Sequence, residues 1–134
     1  MPVIHRTVAT LRISGDDLNP EVISKLLKGL PTSRQKKGEE TGEKGEDRIA
    51  KFGMWRVEAT DKHPGDEEAQ IKEILDQLSN DLSAGRKITE EYECDMFFGL
   101  FLEDLNEGYS LKPSTLLALG SRGIDLKLDI YAPC

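Results

Sequence analysis

Polar and apolar positions divide the chain into segments of two periods. From Tyr92 to Leu102 every even position is apolar: Tyr92, Cys94, Met96, Phe98, Leu100 and Leu102. That is the period-2 signature of a strand laid on a core. Its odd positions begin polar at Glu93 and Asp95 and turn apolar at Phe97 and Phe101. A strand apolar on both faces for half its length is expected to be central in a sheet and covered on both sides. Val3–Ser14 alternates more loosely, with Ala9, Leu11 and Ile13 on one face and Arg6, Thr10 and Arg12 on the other. Ile49–Thr60 sets Trp55, Val57 and Ala59 against Met54, Arg56 and Glu58. Ile124–Tyr131 alternates most cleanly, with Ile124, Leu126, Leu128 and Ile130 inward and Asp125, Lys127, Asp129 and Tyr131 outward.

Helical periods fall between these strands. Asn19-Pro20-Glu21 opens a short helix: Asn19 can cap, Pro20 suits the first position, and Glu21 favours the positive end of the dipole. Val22, Ile23, Leu26 and Leu27 form its stripe, and Gly29 ends it. Asp66–Ala84 reads as one long helix in which Ile71, Ile74, Leu75, Leu78 and Leu82 follow the 3,4 spacing. Gly85, Arg86 and Lys87 mark its end, and it is expected to be the main cover of the core. A third helix begins at Pro113 and carries Leu116, Leu117 and Leu119, with Gly120 near its stop. Residues 33–48 contain no apolar side chain, so a mobile polar loop is expected there. Within it, Arg34–Glu39 is a candidate edge hairpin against the start of Ile49–Thr60.

The order β-α-β-α-β-α-β would suit a parallel α/β sheet. The in/out pattern of the last strand argues instead for one partly wet face, with helices mainly on the other. The predicted class is α+β, an antiparallel or mixed sheet of four to five strands in a single domain over residues 1–134. A chain of 134 residues can bury roughly two thirds of its unfolded surface and needs no staple.

Charge narrows the partners. With 25 acidic against 18 basic residues the net charge is −7, which argues against nucleic acid, whose binding rests on a positive surface. No segment approaches a membrane span or a signal-peptide apolar run, so no membrane partner is expected. The two cysteines suggest no disulfide framework, and a reducing cytoplasm is the expected location. Cys94 reads as a small hydrophobe on the central strand, and Cys134 as a solvated last residue.

One stretch is distinctive as a whole: Thr10-Leu11-Arg12-Ile13-Ser14-Gly15-Asp16-Asp17-Leu18-Asn19-Pro20-Glu21. It is followed by Leu27, Pro31-Thr32, Lys37-Gly38-Glu39 and Trp55, and by Leu111 through Leu119-Gly120 and Leu126-Lys127-Leu128-Asp129-Ile130-Tyr131. On these residues the chain resembles the bacterial domain of unknown function, number 4279, over nearly its whole length. The resemblance implies a small bacterial α+β protein and brings no established catalytic or binding residue. The long charged loop between Gly38 and Trp55 is where this chain departs from the pattern.

Candidate chemistry is sparse. A basic, glycine-containing loop beside an aromatic can hold an anion, which makes Arg34, Lys37 and Trp55 one candidate site. Against it, charge runs are mostly solvated surface, and Glu39, Glu40, Glu43, Glu46 and Asp47 offset the basic residues. Asp61, His63, Asp66 and Glu67 fit no zinc spacing, and carboxylates at a helix start have a sufficient electrostatic reason. No metal site and no cofactor is expected. No Ser-His-Asp order, phosphate loop or nucleotide fingerprint supports an enzyme. The remaining candidate is the odd face of the central strand, where Phe97 and Phe101, with Gly99, Val8, Tyr131 and Met54 nearby, would form an aromatic patch away from the helices. The reading that follows is a non-enzymatic interaction or structural module, binding a protein partner or a second copy of itself. Its sharpest form is an acidic immunity-type protein facing a basic toxin. The alternative is a small-molecule or anion-binding domain.

Overall fold

The computed structural model describes residues 4–41 and 48–133. The expectations for Val3, for the centre of the polar loop at 42–47 and for Cys134 lie outside the described residues. The loosely alternating N-terminal segment forms β1 (Arg6–Gly15). A helix, α1 (Pro20–Leu27), follows, with Asn19 Oδ1 accepting from the Glu21 N–H at 3.1 Å. The left-handed residue that closes it is Lys28 (φ 53°) rather than Gly29. The polar stretch carries more structure than its composition led one to expect, because backbone ladders need no apolar side chain. It holds β2 (Ser33–Gln35), β3 (Glu40–Thr41) and β4 (Arg48–Ile49). Of these, β3 and β4 pair with each other as a separate two-stranded ribbon. The edge pairing expected for Arg34–Glu39 is made by β2, against β5 (Gly53–Glu58).

The long helix expected over Asp66–Ala84 is two: α2 (Glu67–Asp76) and α3 (Leu82–Glu91). The leucine spacing runs on through Leu78 and Leu82, but Ser79-Asn80-Asp81 are turn and cap residues. Asp81 takes the N-cap of α3, its Oδ1 accepting from the Ser83 N–H at 3.0 Å, so the helix restarts there. Gly85, read as a terminator, lies inside α3, and Leu82 is exposed rather than part of the core. Then come β6 (Glu93–Phe101), α4 (Pro113–Gly120) and β7 (Asp125–Tyr131).

The sheet order is β2-β5-β1-β6-β7. Every pairing is antiparallel except β6 with β7, which is parallel with α4 as its crossover. The fold is therefore α+β with a five-stranded mixed sheet. The expected centre is shifted by one strand: β1 lies in the middle, and β6 is interior but next to last. Among the described residues no helix is long and apolar enough to cross a membrane.

Register explains which side is dry. Leu11 stands opposite Val57 and Met96, and Ile13 opposite Trp55 and Cys94, so odd positions of β1 and β5 share a face with even positions of β6. On that face Trp55, Phe98, Met96, Leu11 and Ile13 are buried beneath Ile23 of α1, Ile71 and Ile74 of α2, and Ile88 of α3. The last strand departs from expectation. Leu126, Leu128 and Ile130 do turn to this side, opposite Met96, Phe98 and Leu100, yet all of β7 is exposed. It is an edge strand, and of α4 only Leu119 is buried in the core.

Two polar devices hold the helices in place. Gln70, fully buried in α2, accepts from Thr7 Oγ1 at 2.6 Å and donates to the carbonyls of Thr7 and Thr60 at 2.8 and 3.0 Å. The other joins α2 to α4, whose N-cap Lys112 makes no side-chain cap. Glu68 supplies the missing acceptor, taking bonds from the Lys112 N–H and Thr115 Oγ1, while Glu67 accepts from the Ser110 N–H at 3.2 Å. The acidic first turn of α2 thus stabilises its own dipole and the start of a neighbouring helix.

Candidate functional site

The sheet face turned away from the helices carries Arg6, Val8, Thr10 and Arg12 of β1, Asp95, Phe97, Gly99 and Phe101 of β6, and Asp125, Lys127, Asp129 and Tyr131 of β7. It brings the sequence-predicted residues Phe97, Phe101 and Tyr131 into one ladder with two arginines. Phe101 and Tyr131 stack with centroids 4.6 Å apart and planes 7° from parallel. Gly99 between them has no side chain, and a Cβ there would lie 3.4 Å from the Phe101 ring and 3.7 Å from the Tyr131 ring. Both are ordinary contact distances, so the stacked rings lie directly over the Gly99 backbone. Arg6 lies over Phe101 at 4.8 Å and Arg12 over Phe97 at 4.3 Å, distances at which a cation is attracted by the ring face.

Arg12 is also held from below. Its Nε and Nη2 donate to the two carboxylate oxygens of Asp95 at 2.7 and 3.0 Å, and Lys127 Nζ approaches Asp95 at 3.5 Å. Asp95 is 7% exposed, a near-buried charge kept paired by two cations, as burial requires. The expected apolar patch is therefore a mixed surface: aromatic rings half-covered by arginines, themselves fixed by carboxylates. Val8 faces Gly99 as expected, whereas Met54 lies against Arg56 on β5, away from the stack.

Of Arg34, Lys37 and Trp55, the structure sets Arg34 opposite Trp55 in the β2–β5 pairing and places Lys37 beyond the end of β2. Arg34 is exposed on β2, and Lys37 is exposed with its Nζ 4.0 Å from Asp16. Trp55 is fully buried, and its indole N–H donates to Ser24 Oγ of α1 at 2.9 Å. The residues read as a conceivable metal cluster are employed apart. Asp61 pairs with Arg6 at 2.5 Å, Asp66 caps α2 by accepting from the Ala69 N–H, and His63 stands edge-on to His5 at 5.8 Å.

Cys94 lines a small, mainly apolar cleft of about 20 Å³ with Leu11, Ile13, Leu27 and Ile124, with Asp81 and Arg122 also in its lining. That is room for about one water, too little for a metabolite. Burial pushes the thiol up to about 12 from 9.0, with Asp95 and Asp125 adding to the effect. Cys94 is therefore expected to react slowly with iodoacetamide at pH 8 in the native state and fast once unfolded. The shift also has a stability consequence. The thiol's folded-state value lies above its unfolded value, so its contribution is intact below pH 9 and is lost as pH rises toward 12. In alkaline denaturation series, Cys94→Ala should show a shallower fall over that window.

The surface that sequence patterning missed is the β7 edge. Leu126, Leu128 and Ile130 are 37, 40 and 64% exposed, and Leu116 and Leu117 of α4 are exposed on the same side of the sheet.

The family model described as Domain of unknown function (DUF4279) matches residues 5–133. The chain belongs to that family. No curated protein and no solved structure matches it.

Proposed function

We propose that this member of the DUF4279 family is a non-enzymatic protein-interaction module, acting through the β7 edge and the aromatic face that reaches it at Tyr131. The observation that supports this reading is the exposure of the Leu126, Leu128 and Ile130 row on the strand that, among the described residues, forms one edge of the sheet. Edge strands with unpaired backbone groups and apolar side chains invite a further strand, and proteins that have no use for them normally shorten or charge them. The stacked Phe101–Tyr131 pair beside it offers rigid aromatic area, the side-chain type enriched in interface cores. The reading sets the protein in a reducing bacterial cytoplasm, in keeping with the free thiol of Cys94.

A photo-crosslinking amino acid placed at Leu128 or Tyr131 in cells tests this, with exposed Lys25 of α1 as the control position. The expected result is a discrete protein adduct at the two β7 positions. Adducts no stronger than at Lys25 would overturn the reading.

A further inference from the structure

We infer that two copies of this chain join edge to edge through β7, about a twofold axis at Leu128, so that their sheets become one. The inference rests on the interaction reading above and names its partner.

The two edges of the sheet are unlike. β2 at one edge has three residues, Ser33-Arg34-Gln35, all polar. β7 at the other has seven, and every second one is apolar. The backbone of β7 is set for a further strand. The Tyr131 carbonyl accepts from the Leu102 N–H at 3.0 Å, so odd positions spend their backbone groups toward β6. In an alternating strand the N–H and C=O groups of Leu126, Leu128 and Ile130 then face the open edge.

Charge selects the register. An antiparallel pairing that places Leu128 opposite its own copy overlaps the whole of Asp125–Tyr131. It sets Leu126 opposite Ile130 of the second copy, and Lys127 opposite Asp129 of the second copy, each pair occurring twice. The neighbouring registers that keep the faces matched slide one strand by two residues: one centres the pairing on Lys127 and opposes two lysines, the other centres it on Asp129 and opposes two aspartates. Opposed like charges are destabilising and opposite charges stabilising in such cross-strand pairs. The full-length register is thus also the one that matches charges and layers. A twofold contact requires this kind of self-complementarity.

The layers agree as well. In this pairing both copies carry their helices on the same side of the joined sheet. The exposed Leu126, Leu128 and Ile130 rows meet there, with Leu116 and Leu117 of each α4 on the same side. The net charge of −7 repels two copies at long range, but exposed charges farther apart than about 8 Å are largely screened at physiological salt.

Sedimentation analysis of the purified protein should show a dimer. Asp129→Lys should weaken self-association by at least about tenfold, and Asp129→Glu, which keeps the charge opposite Lys127 of the second copy, should leave it within about twofold of the native protein. Leu128→Cys should oxidise to an intermolecular disulfide joining the two substituted positions, since residues paired across hydrogen-bonded antiparallel strands lie about 5.5 Å apart at Cα. Leu126→Cys should not, because it faces Ile130 of the second copy. A dimer insensitive to Asp129→Lys and not captured by Leu128→Cys would overturn the β7 contact. A monomer at the highest soluble concentration, with the Leu128 photo-crosslink going to a different protein, would overturn self-pairing and leave the interaction reading standing. A monomer with no adduct at all would overturn both.

Discussion

Trp55→Ala is expected to lower the stability of the fold by about 3–5 kcal/mol, the range for truncating a fully buried aromatic side chain. Trp55 is the single tryptophan of the chain, 0% exposed, on β5 between the central strand and α1. Two losses combine in that figure. The ring fills core volume beside Leu11 and Ile13 that neighbouring side chains cannot close over, and the cavity adds to the lost transfer energy. The indole N–H also ties α1 to the sheet through Ser24 at 2.9 Å. Trp55→Phe separates the two: it keeps most of the ring, loses that bond, and should cost clearly less than the alanine variant. Ser24→Ala removes the same bond from the other side and should cost about 1 kcal/mol. Urea denaturation followed by circular dichroism reads all three, since the Trp55 variants lose their only tryptophan fluorescence signal. A fall below about 2 kcal/mol for Trp55→Ala would mean that the site collapses around the vacancy.

The Trp55 case also shows how legible the chain was. Period-2 patterns place β1, β5, β6 and β7 and assign their faces correctly, because a strand on a core has one dry side whatever its neighbours are. What such a pattern lacks is how much lies above that side. Leu126, Leu128 and Ile130 alternate as cleanly as any buried strand, and they do point to the helix side. Their exposure follows from strand order, which local patterning does not contain. Trp55 fails in the opposite direction: beside a basic loop in sequence it looks available to an anion, while its strand register turns it into the core. The break between α2 and α3 is a third kind of miss. There the 3,4 leucine spacing outweighed Ser79-Asn80-Asp81, although cap chemistry at Asp81 was written in the sequence. That Phe97, Phe101 and Tyr131 share a face is legible in the alternation, because odd positions of β6 and β7 fall on one side of the sheet. Their arginine cover is not, since Arg6 and Arg12 reach those rings only across the β1–β6 register.

The buried knot around Gln70 gives the second large effect, and its pH dependence identifies the cause. Gln70→Leu keeps the volume but removes an acceptor for the Thr7 hydroxyl and the donors for two carbonyls. The Thr7 carbonyl retains a bond from the Lys62 N–H at 3.3 Å, and the Thr7 hydroxyl oxygen still accepts from the Asp66 N–H at 3.1 Å. The Thr7 O–H and the Thr60 carbonyl each lose their Gln70 partner, so the expected loss is about 2–4 kcal/mol, from about 1–3 kcal/mol per unpaired group. Gln70→Glu has the same shape and differs only in chemistry. An ionised carboxylate there would face the Thr7 and Thr60 carbonyls in a site with no solvent, which raises its folded-state pKa above the unfolded value of about 4.3. The sign follows: the variant keeps its best stability below about pH 4.3, where the acid is neutral and can donate one bond, and loses it as pH rises. At neutral pH Gln70→Glu should therefore be less stable than Gln70→Leu, and the gap should narrow or invert in acid relative to the native protein. Thermal melts of the three proteins from pH 4 to 8 measure this. Parallel curves for the two variants would show that shape rather than hydrogen bonding holds α2 on β1.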